Sequence, residues 1–90
     1  MTKHPSAQKR HRQSLKRHAR NQAIRSRVRT LVKYVRESID AGDPGQAAEQ
    51  LRGATRALDK AVTKGVLHRN TAARKISRLT RAVRKLGTAG

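Results

Sequence analysis

The sequence has no cysteine, phenylalanine or tryptophan, and it has one tyrosine and two prolines in 90 residues. Without cysteine there is neither a disulfide framework nor a thiolate metal site. No apolar run approaches the length of a membrane span, and no apolar segment typical of a signal peptide follows the first residues. These absences disfavour a secreted disulfide module, a membrane protein and an ordinary enzyme.

Acidic residues are also scarce. Five Asp and Glu stand against 23 Lys and Arg, which gives a formal net charge of +18. Leu, Ile and Val together make up less than a fifth of the chain. This combination is typical of chains that fold poorly alone. It predicts a small intracellular protein whose partner is a polyanion.

The charge is segregated along the chain. Residues 1–36 carry twelve bases and no acid, and residues 61–90 carry eight bases and no acid. Residues 37–60 carry all five acids and three bases. A protein that needed charge only for solubility would mix the two signs. We expect the flanks to contact the polyanion and the middle segment to contact water or protein.

Proline and glycine divide the chain into three helical stretches. Ser6 is a candidate N-cap, and Gly42 and Gly65 suit the left-handed position that ends a helix. Asp43 followed by Pro44 is typical of an N-cap and a first helical residue. The predicted single domain, residues 1–90, comprises a flexible tail 1–5, a first helix 6–41, a second helix 44–64, a third helix 69–86 and a flexible tail 87–90.

Apolar residues recur at helical spacing in all three stretches. The first has Val28, Leu31 and Val35, and the second and third carry similar stripes. Three apolar stripes with short connections predict an all-α fold, an antiparallel three-helix bundle with an aliphatic, alanine-rich core.

The apolar stripe of the first helix does not reach its N-terminal half. Eighteen residues make five helical turns, so residues eighteen apart lie on the same side. The positions eighteen residues before the stripe hold Arg10, Gln13, Ser14, Arg17 and Asn21. We therefore expect residues 6–22 to be basic around the whole circumference and to project beyond the bundle as an elongated arm. Such a helix is not stable by itself, so the arm should be disordered when free and helical among phosphates.

The basic residues form stripes at steps of three or four. Their members are Lys9, Arg12, Lys16, Arg20 and Arg27; Arg25, Arg29, Lys33 and Arg36; and Arg74, Arg78, Arg81 and Lys85. Arginine outnumbers lysine fifteen to eight, and its planar guanidinium suits phosphate and guanine edges. The alternative, a solvated charged face, is disfavoured because such faces normally mix signs.

Aromatic residues for stacking bases are nearly absent. Only Tyr34 is available, and its place beside the apolar stripe favours a position at the edge of the core. Sequence reading of single strands is therefore disfavoured, and recognition of folded RNA by shape, phosphate and 2′-hydroxyl contacts is favoured.

Histidines and acids give no support for a metal site or for catalysis. His4, His11 and His18 are spaced by seven residues, about 10.5 Å along a helix, which is too far to share an ion. His68 and Asn70 lie at the start of the third helix, where each could cap the helix or contact RNA. No nucleophile arrangement, phosphate-binding glycine loop or acid pair is present. We predict no enzyme activity, no cofactor and no metal.

Residues 64–79, KGVLHRNTAARKISRL, resemble the signature of the bacterial small-subunit ribosomal protein family numbered twenty. Other stretches agree: Ser6 to Arg10, Arg25 to Thr30, and Ala41 to Asp43. The resemblance covers nearly the whole chain. Pro5 departs from the family, which usually has a basic or polar residue there, and so does the C-terminal Gly-Thr-Ala-Gly.

This resemblance implies a three-helix bundle with a long first helix that binds 16S ribosomal RNA directly. It implies a cytoplasmic protein, a monomer within the small ribosomal subunit beside other components of that subunit. Such a protein would join the 5′ domain to the 3′ minor domain. No membrane and no small-molecule substrate are expected. With the basic stripes, it gives these RNA-binding candidates: Lys9, Arg10, Arg12, Lys16, Arg17, Arg20, Asn21, Arg25, Arg27, Arg29, Lys33, Lys64, His68, Arg69, Asn70, Arg74, Lys75, Arg78 and Arg81.

Two other functions remain as alternatives. A basic bundle could coat duplex DNA without sequence preference, as a nucleoid protein does, although no recognition-helix pattern or paired half-site is evident. An arginine-rich, acid-poor N-terminus also resembles a targeting or membrane-active helix. The first 22 residues lack the apolar face that a membrane helix needs.

Overall fold

A computed structural model describes residues 5–88, which form three helices and no strand. Helix α1 spans Pro5–Asp40, α2 spans Pro44–Thr63 and α3 spans Arg69–Thr88. The predicted all-α fold is confirmed. The predicted tails at residues 1–4 and 89–90, with His4, lie outside the described residues.

Both outer helix ends differ from the predicted boundaries. Helix α1 already includes Pro5, so Ser6 lies inside the helix, where it is not an N-cap. Proline is tolerated there because the amides of a first helical turn need no partner within the helix. Helix α3 continues through Gly87 to Thr88, so the predicted tail from residue 87 is wrong at these two positions. Gly87 lacks the positive φ that would end the helix.

The turn between α1 and α2 is built on Gly42, which has φ +72°. Its N–H donates to the Ile39 carbonyl (3.0 Å), and the Asp43 N–H donates to the Ser38 carbonyl (3.1 Å). This Schellman pair satisfies the last carbonyls of α1. The Asp43 carboxylate then accepts a hydrogen bond from the Gln46 N–H (3.1 Å) and caps α2.

A second Schellman turn ends α2 at Gly65, which has φ +73°. The Gly65 N–H donates to the Val62 carbonyl (3.0 Å) and the Val66 N–H donates to the Ala61 carbonyl (2.9 Å). Val66 and Ala61 are both buried in the same apolar cluster. The turn therefore fixes the chain direction and also contributes a side chain to the core.

The core consists of two small aliphatic clusters. One comprises Val28, Ala57, Leu58, Ala61, Val66 and Ala72. The other comprises Val35, Ala47, Ala54, Leu79 and Val83. Along α2 the clusters follow one another in the reverse order to α1, whereas α3 meets them in the same order as α1. The helices therefore run up, down and up, as an antiparallel three-helix bundle.

Helix α1 extends far beyond this bundle. Every side chain from Gln8 to Arg20 is exposed, and Ile24 is the first side chain of α1 packed against the core. The chain measures 70 × 22 × 14 Å, and its radius of gyration is 18.1 Å, against about 12 Å for a compact chain of this length. The projecting N-terminal part of α1, residues 6–22, is called the arm below.

Asn21 lies where the arm enters the bundle. Its side chain is half-buried, and its Oδ1 atom is buried without a hydrogen-bond partner. A buried acceptor without a donor costs about 1–3 kcal/mol. The apolar stripe therefore ends at Asn21, and the unpartnered oxygen of this side chain lowers the folding stability.

Gly53 and Gly65 provide a matched pair of stability tests. A methyl group at Gly53 would meet nothing within 4 Å, and this residue lies inside α2 without a positive φ. Gly53→Ala should stabilise the protein by about 0.5–1 kcal/mol, because alanine loses less backbone entropy in a helix. Gly65→Ala should destabilise it by about 1 kcal/mol, because φ is positive there. Thermal unfolding followed by circular dichroism measures both changes in stability. Changes of the same sign would contradict the placement of Gly53 inside α2 and of Gly65 in the turn that ends it.

Replacing Asn21 tests the end of the stripe. Asn21→Leu should stabilise the bundle by about 1 kcal/mol, because it removes an unpartnered acceptor and adds apolar contact. Gln22→Leu is the control, since residue 22 is exposed on the same helix. Urea unfolding of both variants measures the effect. Equal changes would indicate that residue 21 makes no special contact with the bundle.

Candidate nucleic-acid interface

One side of the arm carries its basic residues. Lys9, Arg12, Lys16 and Arg20 recur at steps of three or four along α1, and all four are exposed. Arg10 and Arg17 are also exposed and lie next to this stripe, on the side that the core occupies farther along the helix. The side chains from Gln8 to Arg20 are all exposed, and the first 36 residues of the chain hold no acid to neutralise these charges.

The opposite side of the arm has no lysine or arginine from Gln8 to Gln22. Gln8, His11, Leu15, His18 and Gln22 recur there at steps of three or four. The expectation that the arm is basic around its whole circumference is therefore wrong. The positions eighteen residues before the core stripe all lie on the side of the helix that continues this stripe, so they say nothing about the opposite side. The arm is a two-sided helix that can place all its cations against one surface.

Within the bundle, the cations of α1 change sides. Arg25, Arg29, Lys33 and Arg36 form an exposed stripe. At about 100° per residue, this stripe lies roughly 150° around the helix from the arm stripe. Arg27 is exposed on the side of the arm stripe. Helix α1 thus presents positive charge in two nearly opposite directions along its length.

The second stripe forms one wall of a groove between α1 and α3, the two helices that contact each other least. Helix α3 supplies the other wall with Thr71, Arg74, Lys75 and Arg78. Val28, Val32, Leu67 and Leu79 lie at the bottom of the groove. No acidic residue is among those that line it.

The structure brings six sequence candidates together in this groove, namely Arg25, Arg29, Lys33, Arg74, Lys75 and Arg78. Arg36 and Thr71 also line it. Arg36 was part of a predicted basic stripe but was not among the RNA-binding candidates, and Thr71 was in neither set. Arg36 lies three residues after Lys33 and already belongs to the basic stripe found in the sequence. Nothing in the sequence marks Thr71, because its position depends on how α3 packs against α1.

The remaining candidates lie outside the groove. Lys64, Arg69 and Arg81 are exposed on the α2–α3 connection and on α3. The connection lies at the base of the arm, since Leu67 lines the same hollow as Arg25. Asn21 is half-buried at this base and presents less surface to a partner than its neighbours do.

His68 caps α3. Its Nδ1 atom accepts a hydrogen bond from the Asn70 N–H (3.1 Å), and its carbonyl accepts one from the Ala72 N–H (3.1 Å). Both side chains are exposed. The sequence allowed either His68 or Asn70 to cap α3, and in the structure His68 is the cap, through its ring nitrogen. The amide side chain of Asn70 remains at the surface.

One acidic residue, Glu37, lies beside the basic stripe of α1 that lines the groove. Lys33 Nζ lies 3.9 Å from Glu37, and both side chains are mostly exposed, so the pair contributes little to stability. Of the other acids, Asp40 and Asp43 flank the α1–α2 turn, and Glu49 and Asp59 are exposed on α2. The bundle therefore has a nearly neutral side formed by α2 and a strongly basic side formed by α1 and α3.

The described residues include no group of three or more histidine and acidic side chains that could hold a metal ion. None of the helices within residues 5–88 is long and apolar enough to cross a membrane.

The family model of ribosomal protein S20 matches residues 2–84. A small ribosomal subunit protein bS20 from Maridesulfovibrio salexigens is 54% identical over 86 residues, which cover 96% of this chain and 99% of that protein. The bS20 protein of Corynebacterium efficiens is 58% identical over 79 residues, covering 88% and 91%. The match extends over nearly the full length on both sides. The chain therefore belongs to the ribosomal protein S20 family.

Proposed function

We propose that the chain is a structural constituent of the small ribosomal subunit, in the cytoplasm, and that it binds 16S ribosomal RNA directly. The observation that carries this proposal is the α1–α3 groove, whose walls hold cations from two helices and no acid. The relatives are named as small ribosomal subunit proteins, which supports the same assignment. Its role there is to stabilise RNA folding and assembly, without catalysis and without a cofactor.

Phosphate neutralisation supplies the binding energy. RNA helices that pack side by side repel through their phosphates, and cations between them remove this repulsion. Each neutralised phosphate releases about 0.7 to 0.9 of a counterion, so binding should weaken steeply with salt. The exposed arginines add bidentate contacts that fix the orientation of the protein on the RNA.

The two directions of charge on α1 support a bridging role. The arm stripe can contact one RNA element, while the groove, on nearly the opposite side of the helix, contacts another. We infer that these elements belong to the 5′ domain and the 3′ minor domain, as the family resemblance implies. One monomer would join them, with the nearly neutral face of α2 toward solvent or other components of the subunit.

The candidate residues divide between these two contacts. We assign Lys9, Arg12, Lys16 and Arg20 to the arm contact, with Arg10, Arg17, Asn21 and Arg27 next to it. We assign Arg25, Arg29, Lys33, Arg74, Lys75 and Arg78 to the groove. Lys64, His68, Arg69, Asn70 and Arg81 extend the basic surface around the α2–α3 connection and α3.

The arm should order on RNA. Its side chains are exposed from Gln8 to Arg20, so this part of the helix lacks the buried apolar face that stabilises most protein helices. Surrounding phosphates would relieve the repulsion between its cations. We propose that the arm loses helix in the free protein and regains it when bound.

Deletion of residues 1–22 should separate binding from folding. We expect thermal unfolding of the bundle to change little, because the described side chains of this segment, from Gln8 to Gln22, lie almost entirely outside the core. We expect affinity for small-subunit RNA to fall at least about a hundredfold at moderate salt, because seven lysines and arginines are lost, six of them from the arm. Calorimetry and filter binding measure the two quantities. A large loss of bundle stability would mean that the arm packs on the protein.

Competition with duplex DNA tests the proposed function. The full chain should bind the 5′-domain fragment of 16S RNA across a salt series and retain that binding in the presence of excess duplex DNA. Equal affinity for RNA and DNA, with the same salt dependence, would favour a nucleoid-type protein that coats DNA through charge alone.

A further inference from the structure

We propose that the α1–α3 groove accepts an unpaired nucleotide of the ribosomal RNA, with its base on the apolar floor and its phosphates between the cationic walls. This inference deepens the proposed function and rests on it, because the nucleotide belongs to the RNA that the chain binds. On this proposal the groove binds an unpaired nucleotide, and the arm and the outer surfaces bind paired RNA.

The floor of the groove is the first reason. Val28 and Leu79 are buried, while Val32 and Leu67 are half-buried at the bottom of the groove. Phosphate and ribose oxygens gain nothing from such a surface, because they lose water there without finding a donor. The flat face of a base is largely apolar, so it can pack against this floor.

The walls are the second reason. Arg29 and Arg36 on α1 lie across from Arg74, Lys75 and Arg78 on α3, and no acid separates them. These like charges repel across the groove, which agrees with the sparse contact between α1 and α3. A phosphate on each side of a bound base would turn this repulsion into attraction.

An RNA duplex is too wide to reach the floor of a crease between two packed helices. Packed helices lie about 8–10 Å apart, so the crease between them is about one side chain wide. A duplex keeps its bases stacked inside and presents only its backbone to a crease of this width. An unpaired nucleotide can turn its base outward, and such bases are the usual targets of specific RNA recognition.

Arginine replaces the missing aromatic residues. The chain has no Phe or Trp, and the exposed Tyr34 is not among the residues that line the groove. Guanidinium planes also stack on bases. Both walls carry arginines, so a base that enters the groove can be covered from the side as well as from below. We therefore expect the groove to accept an unpaired nucleotide whichever base it carries.

Site-directed cleavage locates the RNA in the groove. Because the chain has no cysteine, a single one can carry a tethered iron chelate. Thr71→Cys places the chelate on the wall of the groove, and Glu49→Cys places it on the exposed face of α2 as the control. With saturating protein on 16S RNA, the probe at residue 71 should cleave next to unpaired nucleotides that become protected on binding. The probe at residue 49 should give weaker cleavage at other places.

A double-mutant cycle then tests the contact itself. Arg74→Met should weaken binding to the intact RNA about tenfold. It should have little effect on an RNA from which the mapped nucleotide is deleted. Arg52→Met, which removes an exposed arginine of α2, should change neither affinity by more than about twofold. Circular dichroism verifies that each variant folds.

The outcomes separate the two proposals. Cleavage confined to base-paired segments, or an equal effect of Arg74→Met on both RNAs, would overturn the groove assignment and leave the proposed function intact. Wild-type protein that binds 16S RNA no better than duplex DNA would overturn the proposed function, and the groove assignment with it.

Discussion

The constraint on which this protein depends is positive charge that the chain cannot neutralise. Twenty-three basic residues face five acids, and the acids lie around the α1–α2 turn and on α2. The arm and the walls of the α1–α3 groove are therefore left with repelling cations. Self-repulsion of this kind destabilises a compact state. Folding stability and the proposed RNA binding thus make opposing demands on the same side chains, and the phosphates of a bound RNA would meet both by supplying the missing negative charge.

The small core is compatible with this arrangement because it occupies only part of the molecule. Two aliphatic clusters hold the C-terminal half of α1 against α2 and α3, and their many alanines allow the helices to approach closely. Two Schellman turns fix the helix ends with backbone hydrogen bonds and require little volume. Most of the surface therefore remains available to a partner, and the side chains of the longest helix are all exposed from Gln8 to Arg20.

Sequence reasoning succeeded where local rules act. Gly42, Asp43 and Gly65 occupy the positions predicted from turn and cap chemistry, because positive φ and an N-terminal carboxylate are local needs. It was wrong at the end of α3, where Gly87 stays helical although a glycine often ends a helix. It was also wrong that the arm is basic around its whole circumference, because that expectation rested on positions that lie on one side of the helix.

The sequence by itself determined that this chain is helical, basic and divided into a bundle and an arm, because helical periodicity and charge segregation are properties of the chain order. It also carried the family, through residues 64–79. Only the tertiary structure decided that Arg36 and Thr71 share a groove with Arg29, Arg74 and Lys75. That grouping depends on how α3 settles against α1, and packing between distant segments is set by the shapes of both helices together.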